Sequence, residues 1–193
     1  MGLRELKKLK TKREVQRQAL RLFTEQGYEA TTVEQIAHAA EISTATFYRY
    51  FRDKKDVLFN SEYDPFLEDV FTSRPADEPL AGVVRHVFCA LASQLLDADR
   101  EALLMRHQLV TKIPELRARL NQEATANIEQ LTELIARRTG RDADKDLGVR
   151  LAAMTANAAF AAAVLYWLDR HAQPDLTELI EFALHRVEDA LDL

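Results

Sequence analysis

A single cysteine, Cys89, stands among 193 residues. No internal disulfide can form, and the expected setting is a reducing, cytoplasmic one. Glycine and proline are scarce, five of each, which leaves too few turn residues for a many-stranded architecture. Residues 1–14 are charged rather than apolar, so no secretory signal pattern is visible there. The most hydrophobic run, Leu151 to Leu168, is mostly alanine with Thr155 and Asn157 inside it, a composition that suits a buried helix better than a membrane span. There is no glycine-rich phosphate loop and no convincing carboxylate pair. The five histidines, His38, His86, His107, His171 and His185, lack paired metal-ligand spacing. His86 precedes Cys89 by three residues on one helical face, half a metal or thiolate site with nothing nearby in sequence to complete it. The expectation is therefore no enzyme, no cofactor and no metal.

The charge is unevenly spread. The net charge is −5, yet residues 1–21 hold eight basic side chains (Arg4, Lys7, Lys8, Lys10, Lys12, Arg13, Arg17 and Arg21) against Glu5 and Glu14. A segregated positive end can hold a phosphate backbone even on an acidic protein. The remainder is acidic and apolar in stripes.

Helical spacing organises the basic end. Thr11 stands three residues before Glu14, a capping-box pair that predicts a helix start, and Val15, Ala19, Leu22 and Phe23 continue at helical spacing until Gly27 stops it. Thr31 or Thr32 opens a second helix, with Glu34 or Gln35 completing the box; Val33, Ile36, Ala37 and Ala40 are its expected buried stripe. The interval from Ala40 to Ser43 is short enough only for a turn, with Ile42 as an apolar plug and Ser43 as the next N-cap. The following helix, Thr44 to Tyr50, is barely two turns long and needs its neighbours for support. Phe47, Tyr50 and Phe51 are expected in the core. Thr44, Ala45, Thr46, Tyr48 and Arg49 are left facing outward, a small donor-and-methyl surface that suits a major groove. Asp53 is expected to cap a fourth helix over Lys54 to about Phe71, bent at Pro65.

The run TTVEQIAHAAEISTATFYRYFRDKKDVL resembles the N-terminal DNA-binding domain of the TetR family of bacterial transcriptional regulators, from roughly Lys10 to Phe59. The resemblance implies an all-α protein of about nine helices: a three-helix DNA-binding domain with a helix-turn-helix at 1–57, then a larger helical ligand-binding and dimerisation domain at 58–193. It implies a homodimer on palindromic operator DNA, usually a repressor released by a small-molecule inducer. By position it assigns Thr44, Thr46 and Tyr48 to groove or backbone contacts, Thr32 and Ser43 to caps near phosphates, Lys54 to the DNA backbone, and Arg49 to base reading. Two residues depart from the family pattern. Glu41 replaces the usual glycine of the turn, and Ala45 replaces a glycine early in the recognition helix. Ahead of this unit, Arg4, Lys7 and Lys8 are expected to meet phosphates or enter the minor groove, or else to form a solvated tail. The stretch RELKKLKTKR also looks like the start of regulators near mycofactocin-type redox clusters, some of which respond to fatty acyl-CoA.

Beyond the connector 73–79, further helices are expected over 80–96, 101–110, 114–138, 145–169 and 176–191. The last two are the dimerisation candidates, through Leu147, Leu151, Met154, Ala158, Ala161, Ala162 and Leu165 and through Leu179, Ile180, Phe182, Ala183, Val187 and Leu191. A largely apolar inducer is expected to meet Phe88, Leu91, Leu104, His107, Gln108, Thr111, Asn127, Asn157 and Tyr166, with Arg85 or Arg106 available for an acidic head group. A DNA-binding regulator or architectural protein without a small-molecule inducer, controlled by a protein partner, is the alternative, and no membrane association is expected.

Overall fold

The computed structural model describes residues 3–59, 64–96 and 100–188, with backbone alone at 3–6 and 64–66. Among these residues the secondary structure is entirely helical: α1 Leu3–Gln26, α2 Val33–Ala39, α3 Thr44–Tyr50, α4 Asp56–Phe59, α5 Asp64–Thr72, α6 Leu80–Leu96, α7 Arg100–Lys112, α8 Pro114–Thr139, α9 Leu147–Asp169 and α10 Leu176–His185. The all-α expectation holds. Ten helices are present among the described residues, against about nine expected, the described parts of the span 54–71 being α4 and α5. The residues between them, where the helix was expected to continue, lie outside the described set. Pro65 lies within α5.

The first helix corrects the capping-box reading of Thr11 and Glu14. It already runs from Leu3, because leucine, lysine, arginine and glutamate all favour helix and no breaker intervenes before Gly27. Thr11 lies within it, its hydroxyl donating back to the Lys7 carbonyl at 2.9 Å, the usual outlet for a threonine inside a helix. Glu14 turns to Arg17 at 2.6 Å instead. Gly27 ends α1 with φ +89°. The α10 helix stops at His185, short of the expected 191, and Leu191 is outside the described residues.

The chain divides into two compact units. The first comprises Met1–Ser61 with Glu101–Arg117, the second Glu62–Arg100 with Ala118–Leu193. The domain boundary expected at 57/58 lies near the end of the first segment of the first unit, and that unit also takes in residues 101–117. In the first unit α1 packs on α2 and α4, and α2 on α3. Val15, Ala19, Phe23, Tyr28, Ile36, Ala37, Phe47 and Phe51 are buried there. In the second unit α9 packs on α10, α10 on α6 and α5 on α6. Val149, Ala152, Ala153, Ala156, Ala159, Ala163 and Trp167 form the buried side of α9. By length and composition alone α9 could cross a membrane; a core helix rich in alanine passes the same test, and this one buries a full face against its neighbours.

The turn between α2 and α3 meets its geometry without glycine. Glu41 has φ +55°, the left-handed region in which a side chain costs ~1–2 kcal/mol. It is held by bonds from its own N–H to the His38 carbonyl and from the Ile42 N–H to the Ala37 carbonyl, at 3.1 and 2.9 Å. Glu41→Gly is therefore expected to melt at or above the wild-type temperature. Glu41→Val, β-branched where φ is positive, is expected to melt several degrees lower. Thermal denaturation followed by circular dichroism checks the order, and a Val variant more stable than the Gly variant contradicts it.

Candidate nucleic-acid interface

A helix of seven residues cannot persist in water unaided, so the local bonds around α2 and α3 matter. Thr32 and Gln35 form the reciprocal capping box of α2: the Gln35 N–H donates to the Thr32 hydroxyl at 3.2 Å and the Thr32 N–H to the Gln35 side chain at 2.9 Å. Of the two registers open in the sequence, this is the one adopted. Thr31 is buried and donates its hydroxyl to the Gly27 carbonyl at 2.8 Å. Ser43 caps α3, accepting the Thr46 N–H at 3.1 Å and donating to the Thr46 hydroxyl at 3.0 Å. Phe47 and Phe51 are buried beneath α3, their rings 5.4 Å apart.

Above these props the outward side of α3 carries Thr44, Ala45, Tyr48 and Arg49, all exposed, with Thr46 half-buried. Tyr48 is 55% exposed, a large aromatic left uncovered on a polar surface. Tyr50 is half-buried rather than a core residue, and its ring lies 5.1 Å from the Arg49 guanidinium. Ile42 is also only half-buried. It lines a groove of about 310 Å³ with Ala40 and with Lys7, Lys10, Thr11 and Glu14 of α1. Sequence reasoning missed Lys10 and this groove. Continuing the helix backwards from Val15 would have found them, because Lys7, Lys10, Thr11 and Glu14 share one helical face. Lys7 and Lys8 are exposed on α1; the Arg4 side chain lies outside the described set.

Lys54 is placed differently from a residue reaching outward. Its ammonium donates to the carbonyls of Tyr28, Glu29 and Thr31 at 2.7, 3.3 and 3.1 Å, and it lies 4.4 Å from the Tyr28 ring centre. Asp53 accepts the Asp56 N–H at 2.8 Å and so caps α4. Lys55 pairs with Glu115 of α8 at 2.8 Å. Burial, and then the charges of Glu115, Asp53 and Glu29, hold the Tyr28 phenol well above its ordinary pKa.

The nine expected ligand residues are split between the units. Leu104, His107, Gln108 and Thr111 are on α7 in the first. Phe88, Leu91, Asn127, Asn157 and Tyr166 are in the second. Phe88 and Leu91 are buried and Asn157 half-buried; Phe88 stacks on Phe160 at 4.7 Å. Asn127 and Tyr166 are exposed, and Tyr166 lies beneath the Arg170 guanidinium at 3.7 Å. Thr111 returns its hydroxyl to the His107 carbonyl at 3.0 Å. Arg85 is paired with Glu188 at 3.2 Å, and Arg106 lies 5.5 Å from the Phe59 ring centre. Cys89 is half-buried, and burial pushes its thiol pKa up, the opposite of an activated thiolate. No group of three or more His, Cys, Asp or Glu stands together as a metal site among the described residues.

Comparison with known proteins agrees with this geometry. Residues 17–60 match the family model for bacterial regulatory proteins of the tetR family, and residues 78–192 match the model described as the MftR C-terminal domain. The chain is similar to the HTH-type transcriptional regulator TcmR of Streptomyces glaucescens, 34% identical over 156 residues, covering 77% of this chain and 69% of that one. Among solved structures it is similar to Thermus thermophilus FadR, a transcriptional repressor in complex with lauroyl-CoA, at TM-score 0.61 and 25% identity, covering 94% and 95% of the two chains. It is also similar to Bacillus subtilis FadR in complex with stearoyl-CoA, at TM-score 0.57 and 25% identity, covering 92% and 96%.

Ser43→Ala removes the cap of α3 and is expected to cost about 1 kcal/mol, a fall of roughly 2–4 °C in Tm for a chain of this length. Thermal denaturation checks it; an unchanged Tm means that α3 does not depend on its cap.

Proposed function

The chain belongs to the TetR family of bacterial transcriptional regulators, and from that premise we propose that it binds a palindromic operator as a homodimer and represses until a fatty acyl-CoA releases it. The observation that carries the reading is the outward face of α3. Thr44, Ala45, Thr46, Tyr48 and Arg49 stand on a helix propped by Phe47 and Phe51 and capped by Ser43. In this reading Arg49 and Thr46 contact base edges, while Thr44 and Tyr48 contact the backbone or the groove wall. Thr32 and Ser43 lie at helix starts beside phosphates.

The basic arm is helical from Leu3, and Lys7 and Lys8 are exposed on it. In this reading Lys7 and Lys8 meet phosphates.

The dimer is assigned to α9 and α10. Support comes from the apolar side chains these helices leave uncovered: Leu147, Leu151, Met154 and Leu165 on α9 and Phe182 on α10, the last 67% exposed. Ile180 is fully buried and belongs to the core rather than to this face. A two-headed reader matches a two-fold operator. The acyl-CoA class is supported by the two similar FadR structures and by the apolar setting of Phe88, Leu91 and Asn157. These three are retained as the ligand-facing candidates within the second unit. The setting proposed is cytoplasmic.

Two measurements test the reading. Duplexes selected from a random pool by the full chain are expected to be palindromes with half-sites about one helical turn apart. Lauroyl-CoA or stearoyl-CoA is expected to release the protein from them, and free CoA is not. Selection without a palindrome rejects the operator reading, and complexes indifferent to both acyl-CoAs reject the inducer. Separately, Leu151→Glu combined with Phe182→Glu is expected to convert the dimer to a folded monomer by sedimentation and to weaken palindrome binding strongly. A variant that stays dimeric moves the interface elsewhere.

A further inference from the structure

Lys54, in the turn before α4, stands where a phosphate contact was expected, and its surroundings do not suit one. An ammonium has three donors, and those of Lys54 are directed to the carbonyls of Tyr28, Glu29 and Thr31 at 2.7–3.3 Å. The ammonium also lies 4.4 Å from the Tyr28 ring centre, a proximity that itself stabilises a cation. The neighbourhood is acidic: Glu29, Asp53 and Glu115 all act on the Tyr28 phenol. Lys55, the next cation in sequence, pairs with Glu115 at 2.8 Å and stands 3.8 Å from Asp53. A phosphate reaching Lys54 would have to displace three carbonyls within a field that carries more carboxylates than ammoniums.

The carbonyls that Lys54 gathers belong to the connector between α1 and α2. Gln26 ties the same connector from the α1 side, donating to Thr31 at 3.1 Å and to Gln35 at 2.9 Å. Gln35 closes the cap of α2 with Thr32. Lys54 thus connects the turn before α4 to the segment that sets where α2 begins, and α2 packs directly on α3.

We propose that Lys54 is a positioning residue of the DNA reader, fastening the α1–α2 connector so that α3 meets base edges in register, and that it makes no phosphate contact. This rests on the DNA-reading function proposed above. Base contacts demand placement within about half an ångström, whereas phosphate contacts tolerate small shifts and dominate sequence-independent binding. A displaced connector therefore costs discrimination before it costs general affinity.

The test measures the full-length chain, wild type and Lys54→Met, on a selected operator and on its scrambled counterpart across a series of salt concentrations. The expected result for Lys54→Met is an affinity for the operator lower by about tenfold or more, consistent with the loss of several charge-assisted bonds. Affinity for scrambled DNA stays within about threefold, and the salt slope is unchanged. A phosphate ligand gives the opposite pattern: equal loss on both duplexes, with the slope reduced by about 0.9 for each contact removed. That result overturns the proposal. Lys54→Arg keeps the charge and decides the matter if the Met variant fails to fold, because a planar guanidinium cannot reproduce the three-carbonyl seat. Wild-type discrimination and affinity in the Arg variant overturn the positioning role, and loss of discrimination with the slope retained supports it. A wild type that prefers no duplex over its scrambled form removes the DNA reading itself, and this role with it.

Discussion

The burial of Phe47 and Phe51 is the constraint on which the outward face of α3 depends. Seven residues fix too few hydrogen bonds to offset the entropy of ordering them, so α3 holds its shape because two aromatic side chains are withdrawn from water beneath it. Removing a buried phenylalanine from such a site costs ~3–5 kcal/mol, a large fraction of the stability of a typical domain. The polar surface above is therefore free to be chosen for what it touches. Ser43 then adds direction, satisfying an amide at the helix start that no neighbour within the helix can reach.

Position is a separate matter from stability. The Thr32–Gln35 box, the Gln26 amide and the Lys54 ammonium converge on a connector only a few residues long. Each satisfies backbone or side-chain groups that would otherwise need water. Glu41 has the opposite character: a side chain held where glycine is easier, at the point where α2 gives way to α3. The first unit thus combines a tightly tied corner at one end of α2 with a strained turn at the other.

The second unit works through apolar surfaces of low chemical detail. Small alanines let α9 bury one face closely, while its leucines and Met154 remain on the other side. An apolar face of this kind, like the exposed Phe182 of α10, is difficult to leave in water, which is the physical ground for proposing a second copy there.

Much of the first unit was legible because its signals are local. Capping pairs lie three residues apart, the split of Phe47 and Phe51 from Tyr48 and Arg49 follows from helical period, and Glu41 stood out where a turn wanted glycine. Thr11 was misjudged because a capping signature competed with continuous helix propensity, and propensity prevailed. Lys54 could not have been placed from sequence, since its carbonyl partners lie 23–26 residues away and backbone oxygens leave no residue-type signature. The distribution of the ligand candidates over the two units was hidden for a related reason. Periodicity shows which side of α7 is apolar, but not that α7 packs with the first unit, so Leu104 and His107 parted from Phe88 and Asn157. By itself the sequence determined most of the helices, the caps at Thr32 and Ser43, the outward face of α3 and the family, all of which are written in short-range spacing. Only the tertiary structure decided which helices share a core and what an ammonium in the turn before α4 holds, because those depend on contacts between segments far apart in the chain.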